Sequence, residues 1–437
     1  MSELALLGGS PVRSRPFAPW PQYQPADARR LQEVLESRHW GGFPVPSRHC
    51  GEFAERFAHL HGARYGLCLT NGTIALVAAL QAVGVRFGDE VIVPAYTWDG
   101  TATAVLFAGG IPAFADVDPD TYCLDVEAVR RAITPRTRAI IPVHLAMRFV
   151  DMDALMELAR EHDLKVIEDC AHAHGGQYKG YGAGSMGDIG CFSFQESKLM
   201  TAGEGGFVMT SNLKYLEHMQ SQVNCGRASI TDEHHQRVLG SNYRMTELQA
   251  ALLIGQLDML PELAERRARS AKRLSEALAA IDGIRPLPPQ REITRDTIYC
   301  YVVQDRGEDR GVSRDIFAAA LDAEGIRCDG RFYEAVYRSA LFHASPEVSP
   351  QLCMGRSAPV DYSTVHCPVS ERAAYHESVW LPQFVLLGGD QDVDDVARAV
   401  EKVMKNLGDL AHVDPALAGA KAMSRADRPK VERARNY

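Results

Sequence analysis

The 437-residue sequence lacks an apolar run long enough to cross a membrane. Its most apolar stretch, Val91 to Ala115, is broken by Asp99, Gly109, Gly110 and Pro112, so it reads as strand, turn, buried helix and strand. A basic surplus is also missing: Lys and Arg total 47 against 56 Asp and Glu, a net charge of -9, which argues against nucleic acid as a partner. The ten cysteines, Cys50, Cys68 and Cys123 among them, have no paired spacing, which excludes a disulfide framework and favours reduced thiols in a cytoplasm. Met1-Ser2-Glu3-Leu4 has neither the basic start nor the apolar core of an export signal, so a cytoplasmic location is expected. No repeat of solenoid length is present.

What is present has the balance of a soluble enzyme: 46% hydrophobic and 24% charged residues, in a chain longer than one average domain. From about Tyr65 to Val208, short β-branched runs alternate with helical segments, the pattern of an α/β layer with a mostly parallel sheet. After Leu248 come long charged amphipathic helices, predicted over Glu247 to Leu257 and Pro261 to Ile281, which read as a connecting helix. A strand at Thr297 to Val303, a helix at Ser313 to Glu324 and a final helix at Asp392 to Leu407 predict a smaller mixed unit. The expected division is 1–265, a large domain with an N-terminal segment, then 266–410, a small domain, then 411–437, a flexible tail poor in large apolar side chains.

Two blocks carry the chemistry. In the first, Val166-Ile167-Glu168-Asp169-Cys170-Ala171-His172 puts an acid at a strand end; in the second, Ser193-Phe194-Gln195-Glu196-Ser197-Lys198 puts a lysine in a loop, ahead of Gly203-Glu204-Gly205-Gly206. Pyridoxal chemistry needs that pair: an amine to hold the aldehyde covalently, and a carboxylate against the pyridine nitrogen to keep the ring protonated. Thr70-Asn71-Gly72-Thr73, between a strand and a helix starting near Thr73, could cradle a phosphate on a helix N-terminus, and Ser193 could add a hydroxyl. Trp98, after Val93-Pro94, offers an aromatic platform. Taken singly, each of these residues is more often structural than functional.

Their order and phrasing resemble the DegT-type aminotransferases, the sugar and cyclitol branch of the fold-type-I pyridoxal-phosphate enzymes, over about residues 5 to 405. The matching phrases include Gly88-Asp89-Glu90-Val91-Ile92-Val93-Pro94, Pro142-Val143-His144-Leu145, Ile167-Glu168-Asp169-Cys170-Ala171, Gly203-Glu204-Gly205-Gly206 and Asn242-Tyr243-Arg244-Met245. The resemblance implies an aspartate-aminotransferase-like α/β fold, with a mostly parallel seven-stranded sheet and a smaller α+β C-terminal domain. It implies pyridoxal 5'-phosphate as cofactor, Lys198 as Schiff-base lysine and proton shuttle, and Asp169 as pyridinium partner. It makes Gly72, Thr73 and Ser193 phosphate contacts and lays Trp98 on the ring face. Asn242 would reach the phosphate of a neighbouring subunit, in a homodimer with shared active sites. No metal is implied.

Two places depart from the family's phrasing. His172 stands where Gln is usual, an imidazole that could lie against the ring or bond its hydroxyl and would respond to pH near neutrality. Ala146-Met147-Arg148 replaces an aromatic or small residue and Gly; for Arg148 a solvated loop position is favoured over contact with a substrate carboxylate. The lysine loop, with Leu6-Leu7-Gly8-Gly9 and Pro19-Trp20-Pro21, is most similar to family members acting on cyclitol ketones such as scyllo-inosose in aminocyclitol antibiotic metabolism, or making aminohydroxybenzoate. By that resemblance, glutamine or glutamate gives the amino group. The rival acceptor is a nucleotide-diphosphate keto-sugar, for which Arg48, Arg227 or Arg331 could hold the diphosphate. Relatives that dehydrate deoxysugars carry His where Lys198 stands, and a non-catalytic pyridoxal-phosphate-binding regulator would need an impaired site.

Other signals are set aside. Gly182-Ala183-Gly184-Ser185-Met186-Gly187 fits a dinucleotide pattern but precedes a strand instead of closing one. Cys170, His172 and His174 alternate as metal ligands might, without a fourth at zinc spacing. His234-His235 reads as surface, and Glu204 as either an orienting or a solvated turn acid.

Overall fold

The computed structural model describes residues 3–43, 47–227, 238–306, 310–343, 352 and 360–414. His234-His235 and most of the expected tail lie outside them. Along the chain come α1 (Pro25–Ser37), α2 (Arg48–His61), β1 (Tyr65–Leu69), α3 (Gly72–Ala82), β2 (Glu90–Pro94), α4 (Asp99–Phe107), β3 (Ile111–Ala115) and α5 (Val126–Ala132). These lead to β4 (Thr137–Ile140), α6 (Met152–Glu161), β5 (Lys165–Asp169), β6 (Gln177–Tyr178), β7 (Tyr181–Gly182), β8 (Ile189–Ser193), β9 (Gly206–Thr210) and α7 (Leu213–Val223).

The apolar runs form a seven-stranded sheet in the order β1-β9-β8-β5-β4-β2-β3. Only β9 runs against the rest: it is antiparallel to both β1 and β8, whereas β8, β5, β4, β2 and β3 pair in parallel. β2 is buried along its whole length, as a central strand covered on both faces must be. α3 is apolar all round and buried from Ala75 to Leu80, the composition of a helix inside the protein. On the opposite side of the sheet, Phe57 meets Phe192 edge to face at 4.9 Å, close behind the strand that leads to Lys198.

A single helix, α8 (Glu247–Leu278), replaces the two expected, with Pro261 inside it. Proline costs one intrahelical hydrogen bond. Against that loss stand a buried stripe running from Ala250 to Leu278 and a reciprocal cap between Thr246 and Gln249. At 32 residues the helix spans about 48 Å, and the expected boundary at 265/266 falls within it. Beyond lie β10 (Ile284–Pro286), β11 (Ile293–Arg295), β12 (Cys300–Asp305), α9 (Arg314–Ala323), α10 (Pro368–Arg372), β13 (Ser378–Pro382) and α11 (Asp390–Lys405). β10, β12 and β13 make an antiparallel sheet, and β11 joins β6 and β7 in another. The strand predicted from Thr297 begins only at Cys300, because the Tyr299 amide is spent on the Ala146 carbonyl at 2.9 Å. The N-terminal segment clasps the later elements: the Ala5 and Val12 amides donate to the Glu324 carboxylate, and Arg13 donates to Asp392 and Asp395.

Two imidazoles are sealed in this frame. His61 gives its Nδ1 proton to the Ala183 carbonyl at 2.7 Å and accepts the Gly175 amide on Nε2 at 3.0 Å, and the His174 Nε2 faces the Ser193 carbonyl at 2.8 Å. Burial lowers both to about 3. Unfolded histidines titrate near ~6.5, so below that pH the unfolded chain takes up protons that the fold refuses. Stability is therefore full above about 6.5 and lost progressively as pH falls toward 3. Denaturant unfolding of the wild type at pH 7.0 and 4.5 should show a loss of roughly 5 kcal/mol, about half of which a His61→Gln variant should no longer show.

Candidate active site

Loops following β1, β2, β5 and β8 all leave the same carboxyl edge of the sheet, where open α/β layers place their ligands. They line a cavity of about 780 Å³. After β1, the Asn71 side chain caps α3 by accepting the Ile74 amide at 2.9 Å, leaving Gly72 and Thr73 at the open, positive end of the helix. A Cβ at Gly72 would lie 2.8 Å from Cβ of Ser193, so glycine is what lets the two loops close up. Gly72, Thr73 and Ser193 share the cavity wall.

Asp169 ends β5, buried, with its carboxylate turned to the cavity. It accepts the Thr101 hydroxyl at 2.9 Å and the Ala171 amide at 3.2 Å. Burial pushes its carboxyl up, while those two bonds, Lys198 and His144 pull it down. Glu168, the preceding residue, points to the other side of the strand, where it accepts the amides of Gly184, Met186 and Gly187 and faces the His144 Nε2 at 3.0 Å. With Cys170 these two form a group whose ligand atoms lie within 4.8 Å. The Glu168 oxygens are occupied by those amides. Of the residues weighed as metal ligands in sequence, His172 turns to the cavity and His174 to the Ser193 carbonyl.

Lys198 lies on the turn after β8, its Nζ 4.6 Å from the centre of the Tyr299 ring. The Tyr299 hydroxyl is 2.8 Å from the Ser197 hydroxyl, which itself donates to Gln195 at 2.7 Å. Trp98 caps the start of α4 with 57% of its surface exposed, the accessibility of a cavity wall rather than of core.

Two expectations change. His172 is buried rather than poised near neutrality: its Nδ1 accepts the Ala146 amide at 3.2 Å, its ring stacks on Tyr299 at 3.9 Å, and burial, then Lys198, holds its pKa well below the ordinary histidine range. Arg148 is neither solvated nor in the cavity; its guanidinium donates to the carbonyls of Met147, Leu287 and Pro288 and ties the loop to the chain before β11. Asn242, expected at a neighbouring subunit's phosphate, is exposed, pairs with Asn224 and lies outside this chain's own cavity. Sequence reasoning missed Thr101, Tyr299, Phe332 and Tyr333. Thr101 had no motif to mark it, being joined to Asp169 across 68 positions, and the three aromatics arrive from the far unit.

Pyridoxal phosphate fits this donor set. The glycine cradle with its hydroxyls at a helix N-terminus suits a phosphate, the buried carboxylate suits a protonated ring nitrogen, and an amine stands in the same cavity.

The sequence profile of the DegT/DnrJ/EryC1/StrS aminotransferase family matches residues 23–401. A protein of Streptoalloteichus tenebrarius, provisionally named L-glutamine:3-amino-2,3-dideoxy-scyllo-inosose aminotransferase, is 46% identical over 94% of this chain and 99% of its own length. An L-glutamine:2-deoxy-scyllo-inosose aminotransferase of Streptomyces paromomycinus is 37% identical over 92% and 98%. In structure, 3-amino-5-hydroxybenzoic acid synthase superposes with a TM-score of 0.81 at 33% identity, covering 90% of this chain and 100% of that one.

Proposed function

The chain belongs to the DegT/DnrJ/EryC1/StrS aminotransferase family and is a pyridoxal-phosphate-dependent aminotransferase, and on that premise we propose that it carries the amino group of L-glutamine to a keto-cyclitol of the scyllo-inosose class. The nitrogen leaves the glutamine α-carbon, which becomes a keto carbon, and the cyclitol's keto carbon becomes an amine carbon, with no net oxidation. The greater likeness to the first relative favours an acceptor that already carries one amino group.

Each residue has a task in this reading. When bound, pyridoxal phosphate supplies an aldehyde that takes up the amine and a ring that withdraws electrons. Lys198 would hold it covalently and would move the substrate proton at Nζ, an amine that lies against the Tyr299 face. Asp169, steadied by Thr101, keeps the ring nitrogen protonated. Gly72, Thr73 and Ser193 would hold the phosphate, with Trp98 and His172, a neutral imidazole, available to the ring from the same cavity wall. The exposed Asn242 reaches the neighbouring subunit's phosphate in a homodimer with shared sites. No helix among the described residues is long and apolar enough to cross a membrane, and cysteines scattered through the sequence without paired spacing support a cytoplasmic enzyme.

One observation favours the cyclitol over a nucleotide keto-sugar: among the described residues lining the cavity, Lys198 is the only Lys or Arg. A diphosphate would call for guanidinium or ammonium partners. Arg227 instead lies over Phe43, Arg331 stands 3.6 Å from Asp315, and Arg48 begins α2. The test is to exhaust the holoenzyme with L-glutamine and add ketones singly, following the return of the visible cofactor band. 2-Deoxy-scyllo-inosose and its 3-amino derivative should restore it, the latter faster. Restoration by a nucleotide keto-sugar alone would overturn the assignment.

A further inference from the structure

We propose that Tyr299 is a positioning residue for Lys198: the electron-rich face of its ring fixes where the lysine nitrogen lies and favours that nitrogen in its protonated form. This rests on the assignment of Lys198 to the cofactor and adds the group that sets its proton affinity.

Tyr299 stands just ahead of β12, in the unit that follows α8, yet both its ends are tied to the loops around the cavity. Its amide donates to the Ala146 carbonyl at 2.9 Å, and its hydroxyl lies 2.8 Å from that of Ser197, the residue before Lys198. Ala146 is held at φ 56, a left-handed conformation that residues with a side chain rarely adopt. Its own amide donates to the His172 Nδ1 at 3.2 Å, so one residue's two backbone groups grip both rings of the pair. Those rings stack at 3.9 Å with 20° between their planes, and Phe332 meets Tyr299 edge on at 75°. Buried and held on these sides, the Tyr299 ring cannot turn away from the lysine. The Lys198 Nζ lies over it, 4.6 Å from its centre. An aromatic face carries negative charge density and attracts a cation within about 6 Å, more strongly where water is excluded. Attraction for the ammonium opposes loss of its proton. The other titratable groups near that nitrogen are Asp169, which acts on Lys198 from the end of β5, and His172 and His174, which burial keeps neutral. Glu204 and Tyr333 line the same cavity. None of these is altered by a change confined to the electron density of the Tyr299 ring.

The test changes that density while keeping the ring's shape: Tyr299→Phe first, then mono-, di- and trifluorophenylalanine placed at the same position. The readout is the pH midpoint of the visible cofactor band, measured on the protein loaded with pyridoxal phosphate and without substrate. Tyr299→Phe keeps the face and gives up only the Ser197 contact, so its midpoint should stay within about 0.3 pH unit of wild type. Each added fluorine should then lower the midpoint, by about one pH unit over the series, because the protonated form loses its attraction to the ring. Tyr299→Leu, which removes the face altogether, should fall as far as the trifluoro form. A midpoint that stays level along the series, or a fall already complete in Tyr299→Phe, would overturn the proposal. Wild-type protein that shows no visible band with pyridoxal phosphate would instead defeat the assignment of Lys198, before any substitution is made.

Discussion

Lys198→Ala should lose the visible cofactor band and lower kcat by at least about four orders of magnitude, upwards of ~5 kcal/mol of transition-state stabilisation. The size follows from the two tasks placed on one amine: it holds the cofactor covalently, and it moves the substrate proton. No other described lysine lines the cavity. Arginine would not substitute, being too basic to give up its proton and planar where a tetrahedral amine is needed. The checks are an absorbance scan with excess cofactor and turnover with L-glutamine and a keto-cyclitol. Retention of both band and rate would reject the assignment.

Asp169→Asn should cost about three orders of magnitude in kcat, near ~4 kcal/mol, with cofactor still retained. The carboxylate is buried, and its hydrogen bonds from Thr101 and Ala171 fix its orientation without matching its charge. Asparagine keeps the shape and removes the charge that holds a proton on the ring nitrogen. The same burial that raises the carboxyl is relieved when a cation sits against it, so the group that electron withdrawal needs is also the one this pocket needs. A rate within about fivefold of wild type at saturating substrate would count against the role.

Much of this was legible from residue order because the chemistry is written in contiguous phrases. The acid at the end of β5, the serine at the end of β8 and the lysine five residues later share one edge of the sheet, and the strand alternation already predicted a sheet whose edges gather loops. What was not legible depends on distance along the chain. Tyr299 and Tyr333 belong to the far unit and meet His172 only after α8 folds that unit back, so no local spacing announces them. His172 looked like a pH-responsive group because its ordinary titration range is near neutrality; burial among Tyr299, Tyr333 and the Ala146 turn removes that response. Arg148 looked solvated because most loop arginines are, and the three backbone carbonyls that its guanidinium meets decide otherwise. The two helices expected, Glu247 to Leu257 and Pro261 to Ile281, are one because the buried stripe spans the whole of α8 and outweighs the hydrogen bond lost at Pro261.

Reductive trapping tests the central claim most directly. Borohydride treatment of the protein loaded with pyridoxal phosphate, followed by proteolysis and mass spectrometry, should place one phosphopyridoxyl group on the peptide containing Lys198. The same group found on a different lysine, or on none while the protein remains folded, would contradict the account.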